Sequence, residues 1–175
     1  EVGDIYMPVL EPFGPIGIIA HTANMEFAES VNNILHQKRQ NRFDTNANPF
    51  VNSPGYLRNN YIIDSSLARF QTGEGKFQLG ESVRGHDIFV LTDVTANNLT
   101  MNISGHDRIF SPDDHYRDLL RIVSLISGKA RRVTVIMPFV YEGRTIKQAS
   151  NGDSLDCAAM LQQLYDLGVS NIIIF

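Results

Sequence analysis

Asp113-Asp114-His115 resembles a metal-binding cluster at first sight, with two carboxylates and an imidazole in a row. It comes directly after Ser111-Pro112, however, and that order reads as a helix start. Ser is a good N-cap, Pro fits the first helical position, and acids face the positive end of the helix dipole. Capping is therefore the expected use of these carboxylates. His21, His36, His86 and His106 show neither HxxxH nor HxH spacing, which argues against a zinc site assembled from them. His21 stands apart because it succeeds an apolar strand at its carboxyl edge, though a structural or solvated role is still expected of it. Cys157 shares a helical repeat with Met160, Leu161 and Leu164, so it reads as a small core residue and not as a nucleophile.

The 175 residues are enough for one domain with a real core, and 43% hydrophobic with 19% charged residues is ordinary for a folded soluble protein. A net charge of −4, with Lys and Arg scattered apart from Lys38-Arg39 and Arg131-Arg132, argues against general nucleic-acid binding. One cysteine excludes an internal disulfide and a cysteine-based zinc cage, and fits a reducing cytoplasm. No apolar stretch approaches the roughly 20 residues of a membrane span, and the acidic, proline-rich residues 1–15 lack a signal-peptide core. They read as a lead-in segment.

The elements that must position any site alternate between strand and helix. Ile16-Gly17-Ile18-Ile19-Ala20 is a short apolar strand, and Phe27, Ala28, Val31, Ile34 and Leu35 mark a helix over about 24–36. Residues 37–60 are polar and Asn-rich and read as a long loop and an insertion. Tyr61-Ile62-Ile63, Gly75–Leu79 and Asp87–Thr92 read as strands, and 93–110 as a second loop. The capped helix from Ser111 carries Tyr116, Leu119, Leu120, Val123 and Ile126 and stops at Gly128. Next come a strand at Val133–Met137, a loop over 139–152, a helix over about 153–167 and a closing strand at Asn171–Phe175. Such alternation predicts an α/β fold: a three-layer α/β/α domain with a mainly parallel sheet. The last apolar run reads as a buried parallel strand. Chemistry in such sheets gathers beyond the strands' carboxyl ends, so residues past Phe175 in a longer parent are expected to matter for catalysis.

Three segments resemble the amino-terminal half of ribose-phosphate pyrophosphokinases, the phosphoribosyl-diphosphate (PRPP) synthetases. The first is Gly17–Ala20 with Asn24 and Phe27-Ala28-Glu29. The second is Arg69-Phe70-Gln71-Thr72-Gly73-Glu74 and then Glu81-Ser82-Val83-Arg84-Gly85-His86-Asp87, similar to the family's R-F-x-D-G-E loop and V-R-G-x-D strand entry. The third is Arg132–Phe139 with Arg144 and the helix after it, similar to the family's P-Y-x-x-Y-x-R-Q-D-R loop. The resemblance spans about 16–175 and implies a phosphoribosyltransferase-like (type I) domain, with a carboxy-terminal domain absent from this chain.

The resemblance implies transfer of diphosphate from ATP to ribose 5-phosphate with Mg2+, giving PRPP and AMP, in a cytoplasmic homo-oligomer, dimer or hexamer. Phe70 and Glu74 would line an adenine pocket, and Arg144 and Lys147 would meet the ATP phosphates, where a cation neutralises and orients polyphosphate. Ser82 and Arg84 would hold a regulatory phosphate, with turn capping as the competing role. The family's D-x-H metal motif is expected just past Phe175 and its ribose-phosphate loop further on, so this piece alone is expected to be inactive. The family's Asp is Thr72 here, and its Gln-Asp-Arg is Thr145-Ile146-Lys147. These departures motivate an alternative: a non-catalytic homologue kept for assembly or regulation.

Overall fold

A computed structural model describes residues 11–45, 49–147 and 153–175. Residues 1–10 of the lead-in and short parts of the 37–60 and 139–152 segments lie outside them. The elements run β1 (Ile16–Ala20), a single 3-10 turn (Thr22–Asn24), α1 (Met25–Asp44), β2 (Ser65–Arg69), β3 (Gly75–Leu79) and β4 (Asp87–Leu91). Then come β5 (Thr100–Ile103), β6 (His106–Ile109), α2 (Pro112–Ile126), β7 (Arg132–Ile136), α3 (Asp156–Asp166) and β8 (Asn171–Ile173).

Strands β1, β4, β7 and β8 form one parallel sheet in the order β1-β4-β7-β8. The register aligns Ile19, Val90, Val135 and Ile172 in one row and Ala20, Leu91, Ile136 and Ile173 in the next. Successive residues point to opposite faces, so these rows feed different cores. Ile19, Val90 and Val135 pack with Leu119, Val123 and Ile126 of α2 and with Met160 and Leu164 of α3. Ile18, Ala20 and Leu91 pack instead with Ala28 of α1. Helices thus cover both faces of a parallel sheet, which is the layered α/β arrangement that the alternating sequence predicts.

Four local expectations need correction. The first helix does not stop at His36 but runs to Asp44, so the first part of the 37–60 segment is helical. Gln37, Lys38, Arg39, Gln40 and Arg42 are polar but good helix formers, and no Gly or Pro interrupts them. Arg39 anchors it, its guanidinium 4.4 Å from the Tyr56 ring and 5.3 Å from the Tyr61 ring while donating to the Tyr56 carbonyl at 2.5 Å. Second, Tyr61-Ile62-Ile63 forms only an isolated parallel bridge beside β1. Third, the 93–110 loop contains the β5–β6 hairpin, and a further strand, β2, pairs with β3. All of β6 is exposed, so no alternation marks it; its signal is Ser104-Gly105, both at positive φ, which suits a tight hairpin turn.

The last strand is parallel as expected but is not buried. Among the described residues β8 lies at an edge of the sheet, and Phe175 beyond it is 75% exposed. The cause is that α1 packs against the β1 side of its face, leaving Ile173 without a covering helix among the described residues. On α3, Cys157, Met160 and Leu164 are buried as expected, while Leu161 is exposed.

Helix α2 is the best-specified element. Ser111 and Asp114 close a capping box, each side chain satisfying the other's backbone N–H, with Pro112 at the start. Ser111→Ala is expected to cost about 1 kcal/mol, and Leu119→Ala, at a fully buried position, about 3 kcal/mol, both read by urea denaturation.

Candidate functional site

Two exposed features face solvent from different supports. The first is the turn joining β2 to β3. Phe70 N–H donates to the Glu74 carbonyl and Gly73 N–H to the Phe70 carbonyl, each at 2.8 Å. Gly73 sits at φ +90°, a conformation that glycine adopts without penalty. The turn pushes its side chains outward: Phe70 is 54% exposed and Glu74 is exposed. The Thr72 hydroxyl donates to Glu74 at 3.1 Å. Thr72 thus orients the Glu74 carboxylate.

The second is a cleft of about 510 Å³ beyond the carboxyl end of β7, lined by Val94, Thr95, Pro112, Phe139, Tyr141 and Arg144, among others. This is where a parallel sheet presents ligand-binding loops. Arg144 is exposed and takes no part in the ion pairs among the described residues. Lys147 and Ile146 are exposed nearby in sequence. Phe70 and Glu74 do not line this cleft, so the predicted base contacts and phosphate contact do not share it.

Tyr141 forms the cleft wall. Its ring stacks on Tyr116 at 4.3 Å and its hydroxyl donates to Asp113 at 2.7 Å. Burial, with Asp113 beside it, pushes the Tyr141 phenol far above its usual value, and burial pushes Tyr116 up to about 12. Both stay neutral donors at neutral pH. Burial raises the Asp114 carboxyl, but the bonds from Ser111 outweigh this and hold it below the ordinary carboxylate value. The Asp113-Asp114-His115 run is accordingly structural: one acid orients Tyr141, one caps α2, and His115 is buried. Thr145, where the family has Gln, accepts from the Cys157 backbone N–H at 3.2 Å and ties the loop to α3.

Sequence reasoning missed the polar cluster between these two features. Asp118 is fully buried on α2. It accepts from Arg69 and His21 on one oxygen and from Arg121, at 2.6 Å, on the other. His21 is buried, not solvated, 5.0 Å from the His115 ring, and Phe110 packs against both. The available signal was a charged residue inside the apolar stripe of a helix. Ser82 and Arg84 are both exposed, and Ser82 accepts from the Arg84 N–H at 3.3 Å, which is a turn-capping contact. Among the described residues no three His, Cys, Asp or Glu side chains cluster to hold a metal ion. No helix there is long and apolar enough to cross a membrane.

The family model for the N-terminal domain of ribose phosphate pyrophosphokinase matches residues 16–168. Ribose-phosphate pyrophosphokinase 1 of Schizosaccharomyces pombe is 31% identical over 111 residues, covering 63% of this chain and 24% of that protein. Ribose-phosphate pyrophosphokinase 1 of Candida albicans is 28% identical over 112 residues, covering 64% and 31%. The matched segments thus span about a third or less of those relatives. The solved structure of phosphoribosylpyrophosphate synthetase from Mycobacterium smegmatis superimposes with a TM-score of 0.61 over 91% of this chain and 42% of that one, at 19% identity. That likeness shows a shared fold.

His115 gives the site a pH signature. Burial lowers its pKa, against the opposing pull of its 2.7 Å bond to the Ala96 carbonyl. The unfolded chain therefore binds the proton more tightly, so this residue lowers stability as pH falls below about 6.5. Denaturant melts at about pH 7.5 and about pH 5.5 should show wild type losing more stability than His115→Gln.

Proposed function

The chain belongs to the family of amino-terminal domains of ribose-phosphate pyrophosphokinases, and from that premise we propose that it is the ATP-side domain of an enzyme transferring diphosphate from ATP to ribose 5-phosphate, giving PRPP and AMP. The observation that carries this reading is Arg144. Its loop comes after β7 at the carboxyl edge of the sheet, and its guanidinium borders an open cleft without a carboxylate partner among the described residues. A free guanidinium there can neutralise and orient a polyphosphate, and phosphoryl-group transfer depends chiefly on positioning and charge. Lys147 supplies a second, more mobile charge.

Phe70 and Glu74 would read the base, the ring by stacking and the carboxylate by accepting from an exocyclic amino group. Because they stand apart from the Arg144 cleft, their nucleotide would be shared between copies of the chain in a homo-oligomer, dimer or hexamer. Ser82 and Arg84 would contact a regulatory phosphate. Magnesium would serve the full-length enzyme, and ribose 5-phosphate would bind through a further domain. A cytoplasmic location fits nucleotide chemistry of this kind.

A second reading, a non-catalytic homologue serving assembly or regulation, draws on the same loop. Thr145 is committed to holding α3 and Ile146 is 63% exposed, where the family carries polar side chains. An assay of the natural-length protein separates the two. The enzyme reading expects AMP release that requires ribose 5-phosphate and a divalent metal; no release across metals and phosphate concentrations contradicts it. Arg144→Ala is expected to weaken ATP binding at least tenfold, about 1.4 kcal/mol, by titration calorimetry. Unchanged affinity would leave Arg144 a surface residue.

A further inference from the structure

The Phe70–Glu74 turn is exposed and carries its two outward side chains on only a few residues, yet its base is fastened to a fully buried carboxylate, Asp118. Arg69 is the last residue of β2. Its guanidinium donates through one nitrogen to Asp118 and through the other to the Gly73 carbonyl at 3.1 Å. A single side chain thus ties the start of the turn, the end of the turn and helix α2 together. Burial lowers the Arg69 pKa, with Asp118 pulling the other way, so the charged pairing and its buried setting act on the same group.

Asp118 is itself held. Arg121 donates to its second oxygen at 2.6 Å, and His21, at the carboxyl end of β1, donates to the first at 3.1 Å. Three donors leave little of the carboxylate unsatisfied, as a fully buried charge requires. Phe110 lies against the Arg69 guanidinium at 4.7 Å, a cation–π contact. At the other end of the turn, a side chain on Gly75 would crowd the cluster: a Cβ there would stand 2.9 Å from Arg69 Nη1, 3.0 Å from Arg121 Nη1 and 3.1 Å from Asp118 Oδ1. The far side of the turn meets the β5–β6 hairpin, where Ser104 Oγ donates to the Gln71 carbonyl at 3.4 Å.

We propose that Asp118 is a positioning residue for nucleotide recognition, acting through Arg69 to fix the turn that presents Phe70 and Glu74. The inference rests on reading those two side chains as base contacts. Its physical basis is preorganisation: an exposed aromatic adds affinity only to the extent that its orientation is fixed before the ligand arrives. The clamp fixes the backbone of the turn while leaving both side chains free to face a base. His21 and Arg121 orient the carboxylate, and neither makes a hydrogen bond to the turn among the described residues.

The test uses the natural-length protein with Asp118→Asn and Arg69→Lys. The second keeps the charge on Asp118 but cannot also reach Gly73, and it spares the core if the first fails to fold. Two ligands are titrated, ATP and inorganic tripolyphosphate, and amide hydrogen exchange is monitored at Phe70 and Gly73. The expected result is at least tenfold weaker ATP binding, tripolyphosphate affinity within twofold of wild type, and at least tenfold faster exchange at both amides. Equal losses for both ligands, or wild-type exchange with an unchanged ratio of the two affinities, would overturn the inference alone. Wild-type protein that binds no ATP would overturn the nucleotide reading, and this inference with it.

Discussion

The Asp118 carboxylate is a full charge with no exposure to water, and its burial constrains everything around it. Removing an ion from water costs several kcal/mol unless partners replace the solvent. Two of the partners come from elements distant in sequence, His21 after β1 and Arg69 at the end of β2, and the third, Arg121, lies one turn along α2 itself. Satisfying one carboxylate therefore joins the sheet, the β2–β3 hairpin and the helix. Gly75 reflects the same constraint, because a side chain there would press on the ends of Arg69, Arg121 and Asp118.

Helix α2 links both halves of the candidate site to this cluster. Its amino terminus is closed by Ser111 and Asp114, and the adjacent Asp113 accepts from Tyr141 on the wall of the Arg144 cleft. Further along, the same helix supplies Asp118 to the opposite feature, the Phe70–Glu74 turn. Membership of the ribose-phosphate pyrophosphokinase family gives these two exposed surfaces a common ligand under the proposed reading, with phosphates at one and a base at the other.

Much of the frame was legible in the sequence because it is dictated by burial. The central strands read as apolar runs, and Ser111-Pro112-Asp113-Asp114 announced a capped helix that the structure contains. Elements held by polar contacts were not legible. The extension of α1 to Asp44 relies on Arg39 lying over two tyrosines, and β6 carries no alternation because all of it is exposed. The position of β8 at the edge could not be read from an apolar run, since composition reports a preference for burial and not what is there to cover it. The motif residues were found by resemblance, whereas Asp118 was not singled out and His21, noted for its place after β1, was expected to be structural or solvated. Their role arises only when positions 97 residues apart meet.

The most direct test of divided nucleotide recognition is a residue-resolved map of binding, from amide NMR shifts of the natural-length protein titrated with ATP and magnesium. Perturbations are predicted at two separate places, the turn at 70–74 and the loop at 139–147, with the exposed face of α1 around Phe27 and Ile34 unchanged. Shifts confined to one of the two places would contradict the separation of base and phosphate contacts. Saturating ATP with no shift at either would contradict the assignment of this domain to the nucleotide.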